Sequence, residues 1–185
     1  MTINKAGLDL IKRFEGFEPM AYVDPVGVVT IGYGTTAEAG IGVVPKIGMR
    51  ITEAQASKYL DMALEKFWDN IAPAIKRPIN ENEKAAFLSL AYNIGPNAFK
   101  SSSALRKFNA GDKAGAADAI QLWNKGTVKG QKVVLAGLVR RRADERWLFL
   151  RPASAMPITP APSVAPSFWA GIFAAIVALF RRKQP

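Results

Sequence analysis

The feature of this sequence that most constrains its fold is the change in hydrophobic pattern at Gly16. Before it, apolar residues recur at the spacing of one helix face: Leu8, Ile11 and Phe14. Asn4 can cap that helix and glycine commonly ends one, so Glu15 falls in the last helical turn. After it, residues 17–49 are β-branched and aromatic, with glycine and proline between them. The pattern predicts a helix followed by a small sheet built around a hairpin.

The sequence after residue 50 has a helical pattern. Thr52 and Gln55 have the spacing of a capping box, which opens a long helix. Hydrophobic spacing and glycine breaks predict further helices at about residues 82–94, 102–110, 112–124 and 134–150. In the last of these, the Arg140–Arg142 run is expected to be partly solvated, with Arg141 or Arg142 pairing with Glu145. A small lobe with a hairpin and a larger helical lobe form an α+β fold with a cleft between them.

Composition divides the chain into three parts. Residues 1–150 form the predicted domain, and residues 151–166 form a linker rich in proline, alanine and serine. Residues 167–185 form a tail in which thirteen uncharged residues (168–180) precede Arg181-Arg182-Lys183. As a helix the uncharged segment spans roughly 20 Å, less than the ~30 Å core of a bilayer. We expect the tail to contact a membrane as an anchor or a lytic element, the alternative being an oligomerising helix.

The composition also excludes several kinds of site. The chain has no cysteine and no histidine, so it can form neither a disulfide nor the usual zinc sites, and we expect no metal and no cofactor. Its net charge is +10, and only four of the 25 basic residues lie after residue 150. Such a charge attracts anionic polymers. Because the basic residues are scattered and match no nucleic-acid motif, we predict no nucleic-acid partner.

Two carboxyl groups and a hydroxyl group stand at the junction of the predicted helix and hairpin. Glu15 ends the helix, Asp24 lies in the turn, and Thr30 lies on the returning strand. Burial at an apolar helix end can keep a carboxyl group protonated, whereas a carboxyl group in a polar turn stays ionised. Glycoside hydrolysis needs such a pair, because an acid protonates the leaving oxygen while a base activates water, which a hydroxyl group helps to hold.

Each of these three residues also has a purely structural interpretation. Glu15 could be an ordinary solvated carboxylate, with Glu18 as the rival acid. Asp24 could serve only to form the turn, and Thr30 could be a β-branched strand residue. The interpretation as a site therefore depends on finding all three in one arrangement.

Their spacing resembles that of the phage-type lysozymes, glycoside hydrolase family 24, in which eight residues separate Glu from Asp and five separate Asp from Thr. The resemblance covers about residues 3–150 and continues in three segments: Ala91–Gly95, Ser101–Asn109 and Gly137–Leu148. It implies a lysozyme-like fold and an endolysin that lyses cells by hydrolysing the β-1,4 bond between N-acetylmuramic acid and N-acetylglucosamine in peptidoglycan. One departure is Thr35, where many relatives carry a histidine.

The resemblance also implies roles for individual residues. Glu15 is expected to be the general acid, Asp24 to position or deprotonate water, and Thr30 to assist Asp24. Asn93 and Tyr33 are expected to bind the substrate. The alternatives are a helix-end role for Asn93 and a turn role for the Gly-Tyr-Gly run around Tyr33.

Two other functions remain open at the level of sequence. A lytic transglycosylase uses one catalytic acid and no water, so the Asp24 and Thr30 pair argues against it. A membrane-disrupting protein would act mainly through residues 167–185. No basic start followed by an apolar run precedes Glu15, so we expect synthesis in the host cytoplasm without a signal peptide. Action on the glycan strands of the cell wall would then need a holin, which the resemblance implies, and the tail would associate with a membrane or lipopolysaccharide.

Overall fold

The computed structural model describes residues 3–25, 27–128 and 130–152. The predicted linker beyond Pro152 and the predicted tail of residues 167–185 lie outside the described residues. The first helix, α1, spans Lys5–Glu15, and the side chain of Asn4 accepts a hydrogen bond from the backbone of Gly7 at its start. Gly16 follows with a positive φ of 73°. The predicted cap, the predicted end and the position of Glu15 in the last turn are confirmed.

A two-stranded antiparallel sheet follows α1, as predicted. Strand β1 spans Glu18–Val23 and β2 spans Val29–Gly32, with Tyr22 opposite Thr30. The backbone of Asp24 closes the turn, since its N–H donates to the carbonyl of Val28 and its carbonyl accepts from Gly27, each at 2.9 Å. Gly27 has a φ of 85°, a conformation that glycine adopts without the steric cost of a side chain.

The helical part begins with α2, which spans Glu53–Ile71 and opens with the predicted capping box of Thr52 and Gln55. Short 3₁₀ turns lie at Ala37–Ala39 and Ala72–Ala74. The remaining elements, in chain order, are α3 (Glu81–Ile94), α4 (Pro96–Lys100), α5 (Ser103–Asn109), α6 (Lys113–Gln121), β3 (Lys125–Val128), β4 (Gln131–Val134) and α7 (Ala136–Leu150). Within the described residues no helix is both long and apolar enough to cross a bilayer.

Three of these elements, namely α4, β3 and β4, were not predicted. The short helix α4 follows Gly95, which was taken only as a break. The β3–β4 hairpin lies between the helices predicted at about 112–124 and 134–150, and α6 ends three residues earlier and α7 begins two residues later than predicted. Most hairpin residues are exposed, so the segment lacks the apolar alternation that identifies a half-buried strand.

Helix α1 precedes the first hairpin in sequence, but it packs against α3 and α7 of the helical part. Helix α3 is the centre of this packing, because most of its residues are buried. The ring of Phe87 lies 4.9–5.3 Å from the rings of three other phenylalanines, Phe99, Phe108 and Phe149. These rings join α3 to α4, α5 and α7, so one apolar cluster fixes the four helices relative to one another.

Truncation of this cluster should destabilise the fold strongly. Phe87 is fully buried, and removing a buried phenylalanine ring costs about 3–5 kcal/mol. We expect Phe87→Ala to lower the free energy of unfolding in urea by that amount. The matched control is Val44→Ala, because Val44 is 60% exposed and a surface change costs less than about 0.5 kcal/mol. Equal effects of the two variants would contradict the assignment of the core.

Candidate active site

Glu15 forms an ion pair with Arg141, which comes from the other end of the domain. The Nη1 of Arg141 donates to Oε1 of Glu15 at 2.7 Å, and the Arg141 side chain has no exposed surface. The sequence predicted that apolar surroundings keep Glu15 protonated. Protonation of Glu15 stays a prediction; the structure adds a buried guanidinium beside it, which the sequence did not indicate.

Arg141 belongs to a buried group of charges on α7. Oε1 of Glu145 accepts from Nε of Arg141 at 3.1 Å and from Nη2 of Arg142 at 3.0 Å, while its Oε2 lies 2.9 Å from Nε of Arg142. The pairing with Glu145 was predicted. The run is partly solvated, as predicted, because Arg140 is exposed. Arg141 and Arg142 are only 0% and 1% exposed, since α1, α3 and α6 pack against α7.

Both arginines keep their positive charge. Burial by itself would lower the pKa of Arg141, but the negative charges of Glu15 and Glu145 outweigh it and raise that pKa. Burial lowers the pKa of Arg142 to about 10, against the attraction of Glu145. Near neutral pH the group therefore presents two cations to Glu145 and Glu15.

Asp24 and Thr30 both bind the backbone of Val28 in the first hairpin. Oδ1 of Asp24 accepts from the backbone N–H of Val28 at 2.8 Å, and the hydroxyl of Thr30 donates to the carbonyl of Val28 at 3.3 Å. Asp24 is 5% exposed and Thr30 is fully buried. Because Val28 binds both side chains, the turn itself sets the relative orientation of the carboxylate and the hydroxyl.

Tyr22 links Glu15 to this pair and was not predicted as a site residue. It lies opposite Thr30 across the hairpin, two residues before Asp24, which follows the end of β1. Burial, followed by the negative charges of Glu18, Asp24 and Glu15 in that order, raises the pKa of Tyr22 to about 12. Tyr22 is therefore a neutral phenol within electrostatic reach of both candidate carboxylates. The two-residue spacing of Tyr22 and Asp24 was the sequence signal that could have found it.

The loop after β2 lies against Glu15. Gly34 has a φ of 88°, and a side chain there would lie 3.9 Å from Oε2 of Glu15 and 3.7 Å from the hydroxyl of Tyr92. Tyr33 is 4% exposed; its hydroxyl donates to Glu53 at 2.8 Å, and its carbonyl accepts from Tyr92 at 3.1 Å. Burial and the hydrogen bond to Glu53 raise the pKa of Tyr33. Binding of sugar by Tyr33 stays a prediction, and these contacts give it a structural role in the loop.

Asn93 lies behind the charged group rather than on the surface of the site. It is 2% exposed, and its Oδ1 accepts from Nη2 of Arg142 at 3.0 Å. Its Nδ2 has no hydrogen-bond partner among the residues that the structure describes. Sugar binding by Asn93 stays a prediction. Thr35, at the position where relatives carry a histidine, is also buried, and its backbone pairs with that of Ile31.

The arrangement can perform acid–base chemistry with water. One carboxyl group comes from a helix end with a cationic partner, and a second comes from a turn beside a hydroxyl group. Among the described residues, no three acidic side chains are grouped so that they could hold a metal ion.

Comparisons with known proteins cover most of the chain. The sequence profile described as phage lysozyme matches residues 12–145. The SAR-endolysin of Pseudomonas phage phiKMV is 40% identical over 149 residues, which are 80% of this chain and 89% of the relative. The solved endolysin from Escherichia coli O157:H7 phage FAHEc1 is 45% identical, with a TM-score of 0.73 over 85% of this chain and 98% of that one. The muramidase domain of SpmX from Asticaccaulis excentricus is 37% identical, with a TM-score of 0.74 over 81% and 98%.

A role of Tyr22 in substrate binding can be tested by removing only its hydroxyl group. If the phenol donates a hydrogen bond to bound glycan, Tyr22→Phe should lower kcat/KM on purified peptidoglycan by about 3–10-fold, the value of one neutral hydrogen bond. The loss should be the same at acidic and mildly alkaline pH, because a pKa of about 12 keeps the phenol protonated throughout.

The matched control is Tyr59→Phe, which removes a hydroxyl group from α2. It should leave kcat/KM unchanged. Full activity of the Tyr22→Phe variant would exclude a role for the phenol in substrate binding.

Proposed function

The chain belongs to the phage lysozyme family, and on that basis we propose that it is an endolysin with muramidase activity. It would hydrolyse the β-1,4 bond between N-acetylmuramic acid and N-acetylglucosamine in peptidoglycan and so lyse the cell. The observation that carries this proposal is the pairing of Glu15 with a buried arginine beside a hairpin that holds Asp24 and Thr30 together. The net charge of +10 favours binding to an anionic cell wall.

In the proposed reaction Glu15 gives its proton to the glycosidic oxygen as the bond to the sugar breaks. Glu15 becomes a carboxylate at that moment, and Arg141 is already in position to stabilise it. An interaction that strengthens as charge develops in the transition state lowers the barrier, whereas one that is equally strong throughout does not. Arg141 thus favours loss of the proton from Glu15.

The water that completes hydrolysis would be activated from the hairpin. The carboxylate of Asp24 accepts a proton from this water while the hydroxyl of Thr30 holds it. The hydrogen bond from Thr30 to the carbonyl of Val28 leaves the Thr30 oxygen oriented as an acceptor for water. Attack from the side opposite Glu15 inverts the anomeric centre.

A lytic transglycosylase is the nearest alternative within enzymes. It would need Glu15 but no water, and its product would end in a 1,6-anhydro sugar. The shared contact of Asp24 and Thr30 with Val28 supports hydrolysis, because a reaction without water has no use for a hydroxyl beside a second carboxylate.

We also propose that the tail of residues 167–185 contacts a membrane or lipopolysaccharide, and that a holin releases the enzyme to the wall. The support is its composition, in which an uncharged segment is followed by three basic residues. A membrane-disrupting activity of the tail would add to wall cleavage without replacing it.

The proposed acid is tested by Glu15→Gln, which keeps the shape of the side chain but cannot carry the proton. We expect a loss of peptidoglycan cleavage of at least about 100-fold, the usual contribution of a general acid. The measurement is mass spectrometry of released fragments, which should end in a reducing, hydrated N-acetylmuramic acid with the wild type.

The matched control is Glu18→Gln, the rival carboxyl group on β1, which should leave cleavage unchanged. Fragments with 1,6-anhydro ends would show that the enzyme is a lytic transglycosylase and not a muramidase. Cleavage by Glu15→Gln at the wild-type rate would remove Glu15 from the mechanism.

The proposed role of the tail is tested by a chain that ends at Pro152. This end is chosen because the side chain of Asn82 donates to the carbonyls of Arg151 and Pro152, so the shorter chain keeps its last helix anchored. We expect unchanged activity on purified peptidoglycan and no leakage of anionic lipid vesicles, in contrast to the full chain. Equal leakage from both chains would refute a membrane role for the tail.

A further inference from the structure

Glu145 is a fully buried carboxylate for which the proposed reaction has no direct use. Besides its contacts with Arg141 and Arg142, its Oε1 accepts a hydrogen bond from the hydroxyl of Ser89 at 2.6 Å. Ser89 also contacts Arg141, because its backbone carbonyl accepts from Nη2 of Arg141 at 3.2 Å. Glu145 and α3 therefore hold the guanidinium that in turn contacts Glu15.

The charges of this group are unequal when Glu15 carries a proton. Arg141 and Arg142 place two positive charges where water does not reach, and Glu145 cancels one of them. The four side chains are neutral together when Glu15 is ionised, and a charge of +1 remains when Glu15 is protonated. An unbalanced buried charge is costly, and Glu145 offsets one of the two buried cations near Glu15.

We propose that Glu145 is a positioning residue that acts on Glu15 through Arg141, and that the balance between Glu145 and Arg142 sets the pH range in which Glu15 holds its proton. The consequence for catalysis rests on the proposed function, because a general acid must hold a proton before it can give one. The effect on the protonation of Glu15 can be measured without substrate.

Other charged or ionisable groups around Glu15 stay the same when Glu145 or Arg142 is changed. On the hairpin side, the neutral Tyr22 lies within electrostatic reach of Glu15, Glu18 and Asp24. On α3, the hydroxyl of Tyr92 donates to the carbonyl of Tyr33. On α1, Arg13 is paired with Asp144 of α7 at 2.6 Å. Substitutions at Glu145 and Arg142 therefore isolate the contribution of the buried group.

The experiment is a titration of the side-chain carboxyl carbon of Glu15 by nuclear magnetic resonance in the full chain. Glu145→Gln removes the negative charge, and we expect the midpoint for Glu15 to fall by about one pH unit, since both carboxylates contact Arg141 and a charge close to a carboxyl group shifts its pKa by about 1–3 units. Arg142→Gln removes a positive charge and should raise the midpoint. The double variant should titrate close to the wild type, because the two changes cancel.

The double variant also guards against a failure of Glu145→Gln to fold. Arg142→Gln and the double variant differ only at Glu145. The difference between their midpoints therefore measures the effect of Glu145 on the titration of Glu15, in a protein with one fewer buried cation. A purely structural role for Glu145 would lower the melting temperature without moving any midpoint. The proposal is overturned if the midpoints of Arg142→Gln and the double variant coincide, or if a folded Glu145→Gln titrates like the wild type.

Kinetics separate this proposal from the proposed function. If Glu15 is the general acid, the alkaline limb of the pH profile for peptidoglycan cleavage should move with the midpoint in each variant. If the titration midpoint of Glu15 moves while the alkaline limb of the activity profile stays in place, the action of Glu145 on Glu15 is upheld. The same result would show that Glu15 is not the general acid.

Discussion

The ion pair between Arg141 and Glu15 is the interaction on which the site depends. It joins residues that are 126 positions apart in the chain, so it forms only when α7 is seated against α1 and α3. Removing one partner of a buried ion pair is costly, typically about 3–5 kcal/mol, because the other charge is left without compensation. The geometry of Glu15 is therefore a property of the whole helical packing, including the phenylalanine cluster around Phe87 that connects α3 to α7.

The other half of the site needs no such long-range support. Asp24 and Thr30 are oriented by a turn of a few residues, through hydrogen bonds of both side chains to Val28. The site thus combines a carboxyl group fixed by tertiary packing with a carboxyl–hydroxyl pair fixed by a local turn. Tyr22 faces Thr30 across the hairpin and lies within electrostatic reach of Glu15 and Asp24. In the proposed mechanism, proton donation belongs to the first half and water activation to the second.

The sequence predicted the parts of this structure that local rules determine. The cap at Asn4, the end of α1 at Gly16 and the capping box at Thr52 are set by a few neighbouring residues, and all three are confirmed. The exposed β3–β4 hairpin and the short helix α4 lack a hydrophobic period, so pattern alone did not identify them. The burial of Arg141 and Arg142 was also missed, because it depends on which helices cover that face of α7. The resemblance supplied the spacing of Glu15, Asp24 and Thr30, and it gave no indication of the charges that surround Glu15.

The central claim is that water attacks from the hairpin, on the side of the sugar opposite Glu15. The most direct measurement is the configuration of the first reducing end released from peptidoglycan, followed by proton nuclear magnetic resonance before mutarotation equilibrates it. Inversion of the β-linked sugar predicts that the α-anomer appears first. A first product in the β configuration would mean retention, and it would contradict the assignment of Asp24 and Thr30 to the activation of water.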